Sequence, residues 1–146
     1  MAHRGERPAP DPRATECDRR EVVHLRGEWL AAEVPRPEIT DQLLAADERM
    51  FTRTPTRAFT VDGNAMTLLV GDGPIQMIED VYTRPAHRRQ GLASALVRTA
   101  VANATAGFVF LPTAAGGDAH RLYAQLGFED LGRTSMFWRE GPDEGP

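Results

Sequence analysis

A chain of 146 residues with a hydrophobic fraction of 41% suits one compact domain and holds no apolar run long enough to span a membrane. Its 17 basic residues, every one an arginine, face 21 acidic ones for a formal charge of −4, which speaks against nucleic acid as a partner and suits a cationic, amine-bearing one. A single cysteine, Cys17, excludes an internal disulfide and a cysteine metal cluster, and the Arg- and Pro-bearing start lacks the apolar centre of a signal peptide, so the expected location is the cytoplasm.

Residues 1–20 are polar, with Pro8, Pro10 and Pro12 alternating among charges, which is the composition of a disordered tail. Residues 21–140 carry the pattern of a folded domain, and 141–146 form a Gly/Pro/acidic tail. Residues 21–25 read as a first strand and 28–34 as a short helix halted by Pro35 and Pro37. A clearer helix follows, with Pro37 in its first turn and Ile39, Leu43, Ala46 and Met50 along one face. Residues 57–61 and Ala65–Val70 flank Asp62-Gly63-Asn64, a hairpin signal, and after Gly71-Asp72-Gly73-Pro74 the strand Ile75–Thr83 completes an antiparallel meander.

Pro85 ends that strand, and Leu92, Ala93, Leu96, Val97, Ala100, Val101 and Ala104 recur at helical spacing beyond it. Between them lies Arg88-x-x-Gly91-x-Ala93. The first N–H groups of a helix have no intrahelical partner and sit at the positive end of its dipole, so they can hold a phosphate. Gly91 keeps a Cβ out of the way, Ala93 is small, and Arg88 and Arg89 add charge. As a bare pattern this fits an anion site and an ordinary solvated loop equally well.

Residues 108–111 form a continuous apolar strand, suited to burial on both faces and to parallel pairing. Thr113 to Gly117 is a flexible loop. Asp118 is placed to cap a helix with Ala119, Leu122, Tyr123 and Leu126 on one face, and Gly127 stands where a left-handed cap is wanted. Residues 128–131 and 134–139 are expected to form one or two closing strands. The whole is an α/β domain, a mixed, largely antiparallel sheet flanked by helices.

Val81-x-Thr83-x-Pro85-x-x-Arg88-x-x-Gly91-x-Ala93, followed by Leu122-Tyr123-Ala124-Gln125-Leu126-Gly127-Phe128, resembles the GCN5-related N-acetyltransferase (GNAT) superfamily, closely over residues 57–131. The resemblance implies a splayed parallel strand pair with acetyl-coenzyme A in the gap as cosubstrate, and an N-acetyltransferase. It assigns strand contacts to Val81 and Thr83 and diphosphate contacts to Arg88, Arg89, Gln90, Gly91, Leu92 and Ala93. Tyr123 matches the family tyrosine that protonates the departing thiolate, although its place on an apolar helix face also suits plain packing. Where an asparagine often precedes that tyrosine by seven residues, this chain has Gly116.

An ammonium acceptor must lose a proton before attack, and Glu79 and Asp80 are the candidate bases. Strand alternation lets only one of them face the acceptor, and parity with Val81 and Thr83 picks Glu79; a solvated edge carboxylate or a salt bridge is the plain alternative for either. Trp29, Phe51 and Trp138 suit either an acceptor pocket or the core. His3, His24, His87 and His120 share no metal-ligand spacing, so no metal is expected. The expected function is acetyl transfer to a primary amine by direct attack; a non-catalytic acyl-coenzyme A-binding module of the same fold is the alternative, and a phosphate- or nucleotide-binding domain a third. No membrane partner is expected, and an exposed closing strand would let a second copy pair into a homodimer.

Overall fold

The computed structural model describes residues 1–34 and 36–135. In chain order the elements are β1 (Ala2–His3), β2 (Thr15–Cys17), α1 (Arg19–Glu33), α2 (Pro37–Arg53), β3 (Thr56–Val61), β4 (Ala65–Val70) and β5 (Ile75–Thr83), then a 3₁₀ turn (Pro85–His87), α3 (Leu92–Asn103), β6 (Phe108–Phe110), α4 (Asp118–Gln125) and β7 (Phe128–Glu129). The strands make one seven-stranded sheet, ordered β2-β3-β4-β5-β6-β1-β7. Every pairing is antiparallel except β5 with β6.

The meander forms as the turn residues dictate. Asp62 (φ 49°) and Gly63 (φ 64°) supply left-handed backbone between β3 and β4, which then pair from Thr56↔Val70 to Val61↔Ala65. All six residues of β4 are buried, because the sheet is covered on both faces. On one face Phe59, Val61, Leu69 and Ile78 pack with Leu96, Val97, Ala100 and Val101 of α3 and with Tyr123 of α4. On the other, Ala58, Met66, Leu68 and Tyr82 pack with Val22 and Leu25 of α1 and Phe51 of α2.

Two irregularities in β5 shape the site. It pairs with β6 only at Ile75↔Phe108, Gln76↔Val109 and Met77↔Phe110, so its second half runs on without that neighbour and a gap opens. Against β4 the register slips between Met66↔Tyr82 and Leu68↔Glu79, a β-bulge, with Asp80 at φ 55° in the left-handed region. The loops are tied by Gln76, which is 3% exposed: its Nε2 donates to Gly71 O (2.7 Å), and its Oε1 accepts from the N–H groups of Thr105 (2.7 Å) and Ala106 (2.9 Å).

The structure departs from the sequence reading at the start of the chain. Residues 1–20 hold two strands of the sheet, where composition suggests a disordered tail. Ala2 is fully buried between β6 and β7, and Ala14 joins the core. The charged residues between them are satisfied at the far end of α3: Arg7 donates to the carbonyls of Ala104 and Ala106, and Asp11 N–H donates to Thr99 Oγ1 at 2.9 Å. Residues 21–25 are helical, the middle of α1, which starts at an Asp18/Glu21 capping box and runs through Gly27 without a break. Residues 128–131 shrink to the two-residue β7. No strand forms at Thr134 or Ser135, and the rest of the expected strand over 134–139 lies outside the described residues, as do Trp138 and the 141–146 tail. No helix among the described residues is long and apolar enough to cross a membrane.

Candidate active site

The end of β5 and the start of α3 are joined by a turn whose shape is set by backbone constraints. Pro85 opens the 3₁₀ turn, which closes with His87 N–H to Arg84 O (2.9 Å). Arg89 (φ 63°) and Gly91 (φ 76°) then take left-handed conformations, and Gly91 does so at no steric cost. Ala95 N–H to Gly91 O (3.0 Å) is the first bond of α3, so the N–H groups of Leu92, Ala93 and Ser94 stand outside the helical ladder at its positive end. Arg88 Nε donates back to Thr83 O at 3.2 Å.

Beneath this turn, where β5 leaves β6, lies a cleft of about 910 Å³. The structure brings Val81, Thr83, Arg88, Arg89, Gly91, Leu92, Ala93 and Tyr123 together on its walls, with Trp29 of α1. Gln90 does not line it. Thr83 Oγ1 is buried without a hydrogen-bond partner among the described residues, a hydroxyl left free beside the opening. Phe51 is elsewhere, buried on α2 against α1 and the sheet.

Tyr123 projects from α4 with 6% exposure and packs its ring against Phe128, centroids 6.2 Å apart. Burial pushes its phenol up to about 12, so the group keeps its proton throughout the physiological range. Gly116 sits at φ 77° with open space around it, so no side chain reaches the cleft from that loop position.

The carboxylates depart from simple alternation. Glu79 pairs with Leu68, and Tyr82 with Met66, so both share the α1–α2 face of the sheet; Ile78 and Val81 belong to the α3 face. The left-handed step at Asp80 puts its carboxylate on the α1–α2 face as well, where Oδ1 meets Arg26 Nη1. Parity with Val81 therefore does not select Glu79, because the bulge breaks the two-residue period between them. Neither carboxylate lines the cleft, although Tyr82 on their own face does, with Trp29 and Glu33 of α1, so the cleft reaches both faces at the end of β5. Arg26 also holds Asp47 (Nε to Oδ2, 2.6 Å) and lies over the Trp29 ring, 5.3 Å from its centroid. Desolvation raises both strand carboxyls against the opposing pull of Arg26, and Asp80, with its side chain 8% exposed, is pushed up to about 6. Asp80 Oδ2 is buried with no partner among the described residues.

Cys17 is an inert thiol: burial, then the carboxylates of Glu21, Asp18 and Glu16, push it up to about 11. Sequence reasoning missed Arg26 and Arg13. Arg13 reaches the turn from residues read as a tail; its Nη1 donates to Gln90 O at 3.2 Å. The capping signal at Asp18 was the one clue that the chain is already ordered there.

Among curated proteins none matches the chain. Solved structures that share its fold include an acetyltransferase of Trypanosoma brucei, 19% identical, covering 86% of this chain and 98% of that one with a TM-score of 0.61. Another is AAC(6')-Iy in complex with the bisubstrate analogue CoA-S-monomethyl-acetylneamine, 17% identical over 88% of this chain and 97% of that one, TM-score 0.59. A third is a predicted acetyltransferase of Clostridium acetobutylicum with acetyl-CoA, at 18%, 88%, 94% and 0.57 in the same terms. At these identities the likeness is one of fold. Residues 56–130 match the acetyltransferase (GNAT) domain, a span that takes in the meander, the turn, α3, β6 and α4. More than half of the chain, including every element that walls the gap beside β5 except α1, is thus of one kind, and the protein belongs to the GNAT acetyltransferase family.

Proposed function

We propose that the chain transfers the acetyl group of acetyl-coenzyme A to a primary amine by direct attack. The observation that carries this is the cleft itself. It opens where β5 parts from β6, and it joins the free N–H groups of the α3 start to Tyr123 at its wall. The residues present suit the coenzyme: the turn offers N–H donors and two arginines for a diphosphate, and Val81 and Thr83 offer strand edge and a free hydroxyl for the pantetheine amides. Bound acetyl-coenzyme A supplies the activated acyl group. Arg88, Arg89, Gln90, Gly91, Leu92 and Ala93 are the proposed diphosphate contacts, Gln90 through its backbone.

In the reaction a C–N bond forms and a C–S bond breaks, with one proton leaving the amine and one reaching the sulfur. Tyr123 is the proposed donor to sulfur. A phenol at about 12 is a weak acid for an ordinary thiolate, but the cleft that desolvates the phenol desolvates the thiolate too and narrows the gap. Asp80 or Glu79, neither of which lines the cleft itself, is the proposed base, acting through water. Asp80 suits it better, since a carboxyl at about 6 is still ionised at neutral pH and is more basic than an ordinary one. Most of the rate comes from holding amine and thioester in line.

The test is the shift in melting temperature with acetyl-coenzyme A, coenzyme A and ATP, followed by thiol release with a panel of amines. Ligand at about a hundred times its dissociation constant adds ~2.7 kcal/mol. A rise with both coenzymes and none with ATP, then amine-dependent thiol release, is the expected result. Coenzyme binding with no release for any amine would favour the non-catalytic module, for which Gly116 and the missing side chain at that loop position speak. No shift with either coenzyme would remove the enzyme reading.

A further inference from the structure

One arginine outside the matched family residues stands on the turn. Arg13 belongs to the segment between β1 and β2, and that segment is anchored. Asp11 N–H donates to Thr99 Oγ1 on α3 at 2.9 Å, Ala14 N–H donates to Asp11 O at 3.1 Å, and Ala14 is buried in the core. The Asp11 carboxylate is wholly committed to its neighbour. Its Oδ1 accepts from Arg13 N–H (3.1 Å) and Nε (3.0 Å), and its Oδ2 from Nη2 (2.9 Å). These bonds hold the Asp11 carboxyl down to about 2, so the pair persists across the physiological range.

The guanidinium is fixed in this way with its outer edge over the start of α3. Nη1 donates to Gln90 O at 3.2 Å, and both Nη1 and Nη2 lie 3.8 Å from the point a Cβ on Gly91 would occupy. A guanidinium carries five N–H groups, and the remaining ones on Nη1 and Nη2 have no partner among the described residues. A positioned guanidinium loses less side-chain freedom on binding an anion than a free one does.

We propose that Arg13 is a coenzyme-binding residue. Its guanidinium adds a charge-assisted donor for the coenzyme diphosphate beside the N–H groups of Leu92, Ala93 and Ser94. The proposal rests on the coenzyme reading of the cleft. It assigns the N-terminal segment, which lies outside residues 56–130, a part in ligand binding as well as in the sheet.

The experiment is titration calorimetry of wild type, Arg13→Gln and Arg13→Lys with coenzyme A and with dephospho-coenzyme A, which lacks the 3′-phosphate but keeps the diphosphate. Steady-state acetyl transfer from S-acetylpantetheine, which has no phosphate, runs alongside. Arg13 keeps 49% of its side-chain exposure, and matched melting curves check that the variants fold like wild type. Arg13→Gln is expected to weaken both nucleotides about tenfold, Arg13→Lys less, and neither to change the Michaelis constant for S-acetylpantetheine. Unchanged binding of both nucleotides by Arg13→Gln overturns the proposal. So does a loss confined to coenzyme A, which would move Arg13 to the 3′-phosphate. Wild-type protein that binds neither nucleotide overturns the coenzyme reading itself, and the role of Arg13 falls with it.

Discussion

Thr67 Oγ1 donates to the main-chain carbonyl of Glu79 at 2.8 Å, inside the sheet, where β5 carries one residue more than β4. Thr67 is fully buried, so this hydroxyl has no competing water. The bond stabilises the bulge that places Asp80 in the left-handed region and turns its carboxylate towards Arg26. Thr67→Val keeps the shape and removes the donor. Its expected cost is about 1–2 kcal/mol, read from urea unfolding midpoints, with a fall in kcat and little change in coenzyme affinity. Unaltered stability would show that the ladder alone holds the bulge.

Asp80 gives the reaction an expected acid limit. With its carboxyl at about 6, a base role requires kcat/KM to fall as pH drops through that value. Asp80→Asn should lower the rate about a hundredfold and abolish the limb, while Glu79→Gln leaves the limb in place. The stability effect has the opposite sense. The folded value lies above the ordinary 3.8, so protonation favours the folded state; that contribution is full below about 4 and lost as pH rises through about 6. Asp80→Asn should therefore be more stable than wild type at pH 8, by about 1–2 kcal/mol in denaturant titrations. A wild-type profile flat to pH 5 would clear Asp80 of the base role.

Tyr123→Phe keeps the ring against Phe128 and loses only the hydroxyl. Turnover is expected to drop about a hundredfold with the dissociation constant of coenzyme A unchanged. Because the phenol titrates at about 12, wild-type kcat should show no alkaline loss from this group below pH 10. A variant with full activity reduces Tyr123 to a packing residue, and pH–rate profiles of the two proteins decide it.

Gln76→Leu tests the knot between the β4–β5 turn and the loop entering β6. The amide serves Gly71 O and the N–H groups of Thr105 and Ala106, all lost together in the variant. A cost of about 3 kcal/mol is expected, since buried partners are left unpaired, and thermal unfolding reads it. The register of β5 against β6 starts here, so widening of the cleft should accompany the loss.

The legible parts of the fold are those whose signal is local. The meander followed from turn residues and alternation, α2, α3 and α4 from helical spacing, and β6 from an apolar run. The turn and Tyr123 carried the family motif, and the structure sets them on one cleft. Residues 1–20 were illegible because their order comes from partners distant in sequence: Ala104 and Ala106 carbonyls for Arg7, the Thr99 hydroxyl for Asp11. α1 was masked by the β-branched pair Val22-Val23 and by Gly27, although its capping box was in plain view. The bulge left no mark, since nothing about Asp80 announces a left-handed conformation, and the parity argument for Glu79 failed with it.

The place of β1 has a consequence for how the chain comes to be folded. Ala2 pairs with Phe110 and with Glu129, and the Met1 amino group donates to Leu111 O at 2.8 Å. During synthesis Ala2 must therefore wait for Phe110 and Glu129, far later in the sequence, before it finds a partner. Among the described strands β7 pairs only with β1, so the Tyr123-bearing end of the sheet is the final part to lock. The meander and α3 are complete earlier, and contacts of such long sequence separation form slowly. A nascent chain released before residue 128 would hold the turn before α3 but leave β1 without its outer neighbour, an unpaired edge exposed to other chains during synthesis.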